Sequence, residues 1–587
     1  MTRLIPRFVC VAALAAASAA LLHAQGRGGG EWTTSSFDAQ RSGWLRADAR
    51  LTKEAVQKGE FAFLWRMKFE NANRQLNSLT PPVLLDRLIG YRGFKSLAFF
   101  GGSDDRVFSV DTDLARPYWT TVLNYTAATG GQPPSSWECP GGLVSMPSRR
   151  TQLAPPAGGG GGGGGGRGGV NNGSAVGEPG KGAAVLAQRA AQQAAQRAAA
   201  PAGRAGGGRS GQQGRGAQEG RGGQGRGAPG GLAGRGGGFG GVEPLLALGS
   251  DGYLRALYVS NGAEMEPARP FLPPDAKPSA LIMVDGVAYT TTSGECGAVP
   301  NAVWAMDLSV PAAERTVRSW NTGGANIVGT SGLAFGTDGT VYVALGKTAA
   351  KPDGSHADAI VALDRDTLKP KDWFTASGAD FNTTPVVIRH REKDLIAATA
   401  NDGRLYVLDG SSLGGSDHKT PLAVSGRFTG SGAGSGLATY EDGGTRWILA
   451  TASGTSGDVK FGANGLAPTG RVVAFKLADA GGTLSLTPGW QSRDLTSPFA
   501  PIVVNGMVMA VSSGEYRGTA SLSAAQRAKR SLPAVLYVLD AASGKTLWSS
   551  GTRITSFARA GLSAGGGQVY VVTYDNHLYA FGIPLEH

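Results

Sequence analysis

The sequence predicts an all-β protein, an eight-bladed β-propeller of four-stranded antiparallel blades closed by its own N-terminal strand. Three observations predict it. A short strand-like motif recurs eight times, most copies follow a hairpin, and one unpartnered strand stands at each end of the chain.

The motif is clearest in Leu405-Tyr406-Val407-Leu408-Asp409 and Leu536-Tyr537-Val538-Leu539-Asp540. Weaker copies begin at Val107, Val303 and Ile360, and degenerate ones at Leu254, Val472 and Leu578. Each is a β-branched or aromatic run that favours a strand. A second such run stands before most copies and ends in a turn, as Leu395–Thr399 does before Asn401-Asp402-Gly403. Asn, Asp and Gly tolerate the positive φ that tight hairpins need. Trp119, Trp320, Trp373, Trp490 and Trp548 follow the motif in most blades. Copies lie about 42 to 67 residues apart, which suits four strands with variable loops. No long amphipathic helices alternate with the strands, so a parallel α/β fold is excluded.

One interval is too long. Between Asp111 and Tyr258 the chain carries a surplus from Ala154 to Gly241, with a run of nine glycines and then Gly-Arg-rich sequence. Such a composition cannot bury an apolar core and is expected to be a disordered insertion between two blades. It reads as a solvated loop or as an adhesive tail for acidic polymers. It also explains the basic balance. The whole chain is formally +12, but residues 151 to 241 hold ten Arg or Lys against two Glu. The folded remainder is near neutral, so it has no general bias towards nucleic acid.

Both ends fit one ring. Phe61–Phe69 reads as an outer strand with no strands before it, and the last copy, ending at Phe581, lacks an outer strand after it. Pairing them removes two exposed sheet edges. Before them, residues 1–24 read as a secretory signal. Arg3 and Arg7 precede the apolar run Phe8–Leu22, which is too short to span a bilayer, and cleavage is expected after Ala24. An uncleaved anchor is the alternative. The expected organisation is therefore a signal at 1–24, closing strand and first blade at 25–153, insertion at 154–241, and the remaining blades at 242–587. The mature chain has no second long apolar run and is expected to have no transmembrane segment. Cys139 and Cys296 are the only cysteines left after cleavage, and an oxidising compartment invites a disulfide between them. A periplasmic or secreted location follows. There is no c-type haem motif and no zinc-type cluster.

The segment Leu536–Trp548 resembles the PQQ-like repeat, in which a strand ending in Asp leads to Thr-Gly-Lys and a Trp; here it reads LYVLDAASGKTLW. Trp32, the run Asp38–Trp44 and Leu64-Trp65 resemble the start of bacterial quinoprotein-type propellers. The resemblance covers nearly the whole mature chain apart from the insertion. It implies Trp residues docking neighbouring blades, which suits a large apolar ring with one N–H donor. It also implies two functional branches: PQQ-dependent alcohol or sugar dehydrogenases, and propellers that bind no quinone and serve as scaffolds.

Fold alone cannot choose between them. A quinone enzyme holds an acidic cofactor and a metal, usually calcium, that needs several oxygen ligands. No Glu, Asn and Asp ligand set is legible here, and the adjacent Cys-Cys pair of the alcohol-oxidising branch is absent. Two segments look specialised, Trp137–Gly142 and Glu295-Cys296-Gly297 with Pro300-Asn301. Glu138 and Glu295 are the candidate base or metal carboxylates, and Asn301 the candidate cofactor contact. Alternatively, they are incidental neighbours of a structural disulfide. The histidines form no metal or triad motif, and Gly430–Gly436 lacks the Lys of a P-loop. The reading favoured is an exported, non-catalytic binding or scaffold protein with a protein or glycan partner in the cell envelope and no nucleic acid. The alternative is a PQQ-dependent dehydrogenase, with PQQ and Ca²⁺ as cofactors.

Overall fold

The fold was analysed in a computed structural model of the full chain. It describes residues 31–90, 93–123, 138–139, 141–153, 242–347, 356–376, 378–430, 433–518 and 521–585. The expected signal at 1–24 and the expected disordered insertion at 154–241 both lie outside the described residues.

Eight sheets form the ring. Blade 1 is Val83–Gly90, Gly93–Gly102, Arg106–Asp111 and Arg116–Val122. Blades 3, 4 and 5 begin at Ile282, Leu333 and Val386, and blades 6 and 7 at Ala433 and Ile502. Strands that follow one another through a tight turn within a blade run antiparallel. All eight motif copies fall on the third strand of a blade, among them Val107–Asp111, Leu405–Asp409 and Leu536–Asp540. Blade 8 has three C-terminal strands from Ser563 onward, and Ala62–Lys68 pairs antiparallel with His577–Gly582 as its outer strand. The ring is thus closed by the N-terminal strand, as expected.

Blade 2 differs from expectation. Its strands Pro244–Leu248, Tyr253–Tyr258 and Arg269–Pro270 are completed on the inside by a bridge between Ser148 and Leu246. Arg150–Thr151 continues from that bridge and runs parallel to Met283–Val284 of blade 3. The chain therefore leaves at Leu153 and returns at Val242 within one blade, so the Gly-Arg-rich stretch interrupts a blade instead of separating two. The inner strand of blade 2 carries no repeat signature, which is why its place was not legible.

The core lies between blades. Leu246, Leu254 and Ala256 of blade 2 pack on Met283, Ala288 and Met306 of blade 3, and equivalent seams follow round the ring. Tryptophans sit in those seams. Trp119 Nε1 donates to Val259 O across the blade 1–2 seam at 3.0 Å, and Trp490 Nε1 to Ala541 O across the 6–7 seam at 2.8 Å. Each indole lies against a glycine of the next blade. A Cβ on Gly262 would sit 2.5 Å from Trp119, and one on Gly544 2.3 Å from Trp490. Both glycines also have positive φ, so only Gly meets both demands. Trp548 packs edge-on against Phe61 and Phe581 at the closing blade. Among the described residues no helix is long and apolar enough to cross a membrane.

Candidate functional site

The eight inner strands surround a central space, and the chain's own start closes one end of it. Residues 32–48 run round the ring and bond to each inner strand region in turn. Trp32 O accepts from Leu84 N in blade 1, Thr33 O from Arg149 N in blade 2, and Thr34 Oγ1 donates to Leu281 O beside blade 3. Ala39, Gln40, Ser42 and Gly43 carbonyls then accept from Phe335, Val387, Thr439 and Val503 of blades 4 to 7, each at 2.8 or 2.9 Å. Asp48 Oδ2 finally accepts from Gly567 N of blade 8. Trp44–Leu45 even adds a short parallel strand to Val503–Val504.

This strap buries charge and satisfies it locally. Arg41 is 1% exposed, and its guanidinium donates to Leu333 O, Thr34 Oγ1, Ser35 O and Ser331 O. Burial pushes its pKa down to about 9, with Asp38 opposing the shift. Asp38 takes both the N–H and the hydroxyl of Ser42, although burial still raises its carboxyl above the usual range. Arg149, also 1% exposed, lies between Glu31 and Glu243 and donates to Leu84 O.

Above the strap lies a cavity of about 890 Å³. Its floor includes Ser35 and Ser36, and its wall is made by the loops entering the inner strands: 76–81, 143–146, 277–280, 326–330 and 559–562. The long hairpin between Ser512 and Val535 of blade 7 adds Glu515, Tyr516, Arg517 and Arg527. The short helix Ala524–Arg530 within it starts from a Ser523/Gln526 capping box. The result is a cup with its floor at the strap and its mouth at these loops.

Four cationic side chains line the cup, Lys277, Arg517, Arg527 and Arg559, against two carboxylates, Glu138 and Glu515. Glu515 is buried and already engaged: Arg517 Nε donates to one oxygen at 2.8 Å and Arg559 Nε to the other at 2.9 Å. Arg559 Nη1 also donates to Asn77 Oδ1 at 2.9 Å. Lys277 is half-buried. Burial and the nearby Arg559 charge hold its amine below the usual lysine range, with Glu138 opposing. The wall therefore carries an excess of positive charge in a partly desolvated space, where Coulomb attraction for an anion is stronger than in water.

The expected site residues fall in three places. Glu138 lines the cup, with its side chain exposed. Glu295 is exposed and outside the lining, held in a left-handed conformation at φ 49°. Asn301 is buried, and its amide braces the hairpin: Oδ1 accepts from Glu295 N and Nδ2 donates to Gly324 O. Cys139 and Cys296 form the expected disulfide, with Cα atoms 5.3 Å apart, beside Glu138 at the cup rim. Lys277, Arg517, Arg527, Arg559 and Glu515 were not singled out in the sequence. The available signal was the basic, unusually long hairpin after Ser512, against tight turns elsewhere.

No family model matches the chain, and no curated protein sequence does. Solved structures do resemble it. The quinohemoprotein alcohol dehydrogenase from Comamonas testosteroni superposes with a TM-score of 0.53 at 13% identity, covering 96% of this chain and 82% of that one. A europium-containing methanol dehydrogenase gives 0.52 at 10% identity, covering 95% and 98%. BamB from Moraxella catarrhalis gives 0.45 at 12% identity, covering 90% and 99%. At such identities the likeness to the two dehydrogenases is one of fold. The chain has the eight-bladed β-propeller fold that its repeats led us to expect.

Proposed function

We propose that this chain is an exported binding protein that takes a small anionic solute, or the acidic end of an envelope glycan or protein, into its central cup without turning it over. The charge of the cup wall carries this reading. Four cationic side chains face two carboxylates, and Glu515 is already shared by Arg517 and Arg559. The cavity volume suits a small-molecule ligand. The strap closes the far end, so a ligand enters and leaves by the mouth. The N-terminal signal pattern and the rim disulfide support a periplasmic or secreted location.

Titration calorimetry of the mature chain tests it, with citrate, succinate and galacturonate against glucose and glycerol. Binding of the acids, weakened by salt and by Arg559→Ala, is the expected result. Equal binding of the neutral compounds, or no binding of any acid, overturns it.

A second reading, a PQQ-dependent dehydrogenase, is favoured by the same wall, because basic side chains suit a quinone bearing carboxylates. Its metal half fits poorly. Calcium takes six to eight oxygen ligands. Here the cup's carboxylates are Glu138 and an already paired Glu515, and the amide oxygens of Asn77, Asn326 and Asn382 already accept from Arg559, Gly294 N and Thr399. Among the described residues no group of three or more His, Cys, Asp or Glu could hold a metal. Incubation with PQQ and Ca²⁺ separates the readings: bound quinone absorbance with dye reduction on alcohols or sugars would establish the enzyme.

A further inference from the structure

Lys277 is the unusual member of the cup. Its backbone is fixed on both sides, since Lys277 O accepts from Ser293 N and Pro278 bridges Thr292 of blade 3. The stem runs along Gly294, next to the Cys139–Cys296 disulfide, and the amine stands about 4.0 Å from where a Gly294 Cβ would be. Arg41, Arg149, Arg517, Arg527 and Arg559 all hydrogen-bond to carboxylates, amides, hydroxyls or carbonyls. Lys277 Nζ makes no hydrogen bond or ion pair to a described residue, although it lines the cavity.

Two neighbours define its chemistry. Arg559, positioned by Glu515 and Asn77, places a fixed positive charge near the amine. Glu138 faces it with the opposite charge from the rim. Burial and the arginine both work against the ammonium form, and lysines in such surroundings are available as nucleophiles. A fixed guanidinium and an amine without a hydrogen bond, lining one cavity, make a two-point receptor: the first suits a carboxylate, the second a carbonyl carbon.

We infer that the cup's ligand class is the small 2-oxo acids, held with the carboxylate towards Arg559 and the ketone carbon bonded reversibly to Lys277 as an imine. The inference rests on the anion-binding reading above and narrows it. The Nζ lone pair adds to the ketone carbon. The former carbonyl oxygen then departs as water with both amine hydrogens, leaving a C=N bond. Addition of water reverses the step. No electrons are exchanged, and no other reactant is required. Capture by imine raises the residence time of the solute without altering it, which suits a binding protein.

The test uses the full mature chain, pyruvate and sodium cyanoborohydride, which reduces an imine to a stable secondary amine, followed by peptide mapping. Lys277 is expected to be labelled several-fold faster than the exposed Lys58, because only Lys277 shares a cavity wall with a guanidinium that can hold the carboxylate. Succinate, which lacks the ketone, is expected to protect Lys277. Lys277→Arg is expected to lose that label. Labelling of Lys277 no faster than Lys58 overturns the inference, and so does equal labelling by acetone, which has no carboxylate. Succinate binding without Lys277 labelling defeats the imine and leaves the anion reading standing; absence of both defeats the two together. If Lys277→Arg fails to fold by circular dichroism, the wild-type map and succinate protection still decide the matter.

Discussion

The floor and the mouth of the same channel hold cationic side chains in opposite ways. At the floor, Arg41 and Arg149 are fully buried, and their donors, Arg149 Nε excepted, end on carbonyls, a hydroxyl and the carboxylates of Glu31 and Glu243. At the mouth, Lys277 and Arg517 are only partly covered, and the cup has more cations than carboxylates. The difference separates charge that holds the ring together from charge left over for a ligand. Burial by itself does not mark a binding site; the sum of charges and partners does.

The comparison breaks most visibly at Arg149. Arg149→Met leaves Glu31 and Glu243 facing each other without their cation, and removing one member of a buried pair costs about 3–5 kcal/mol. Urea unfolding should show that loss while succinate affinity, measured on the folded fraction, is unchanged. Arg559→Ala should do the reverse, lowering affinity with a smaller loss of stability. If Arg149→Met weakened binding without destabilising the ring, the floor would belong to the site.

The disulfide comes next. Cys139 and Cys296 are 157 residues apart in sequence, and the bond anchors the rim beside Glu138 to the blade 3 hairpin. The double Ser variant is expected to lose about 2–4 kcal/mol by denaturant midpoint. Free-thiol titration of the unfolded, unreduced exported protein should find no reactive thiol.

Asp105 sharpens the contrast through pH. It lies in the second hairpin of blade 1, is 1% exposed, and accepts from both the N–H and the hydroxyl of Ser250 in blade 2. Burial raises its pKa from 3.8 to about 6, with Ser250 opposing. A carboxyl raised by folding favours the protonated folded state. Its contribution to stability is therefore fully present below about pH 4 and is lost as pH rises through about 6. The span is about 2–3 kcal/mol. Asp105→Asn should remove that span, read as the difference between wild-type and variant urea midpoints at pH 4 and pH 7. A constant difference would show that the seam does not titrate.

The ring was legible because its signals are local and repeated. A β-branched or aromatic run recurs at each third strand, ending in Asp in five of the eight, and Phe61–Phe69 could be paired with the last blade because both lacked partners. The strap was not legible. It works through single backbone bonds from Trp32, Thr33, Ala39, Gln40, Ser42 and Gly43 to six blades distant in sequence, with Thr34 and Asp48 side chains reaching the other two, and no repeated pattern encodes that path. The cup was barely legible for the same reason. Lys277 sits in a Pro-rich loop, Arg559 in a loop before blade 8, and Arg517 in a long hairpin, and only closure of the ring brings them to one wall. Glu138 was found through its neighbouring cysteine, a signal for the disulfide that carried the carboxylate with it.

The Gly-Arg-rich stretch gives the smallest expected effect and the sharpest separation of floor from mouth. Met146 lines the cup, Arg149 N donates to Thr33 O of the strap, and Thr151 Oγ1 meets Thr33 Oγ1 at 2.8 Å. The chain thus runs from mouth to floor before Leu153 and departs on the side away from the ligand. Replacing residues 154–241 by a short Gly-Ser linker between Leu153 and Val242 keeps every strand of blade 2. If the stretch is unstructured, as its composition predicts, closing a shorter loop stabilises the blade. Each halving of loop length is worth about 0.6 kcal/mol, so the gain should reach about 1–2 kcal/mol in the urea midpoint. Unfolding should stay cooperative, and succinate affinity and Lys277 labelling should not change. Loss of cooperative unfolding would make the stretch part of the fold, and loss of ligand binding with the fold intact would bring it to the mouth.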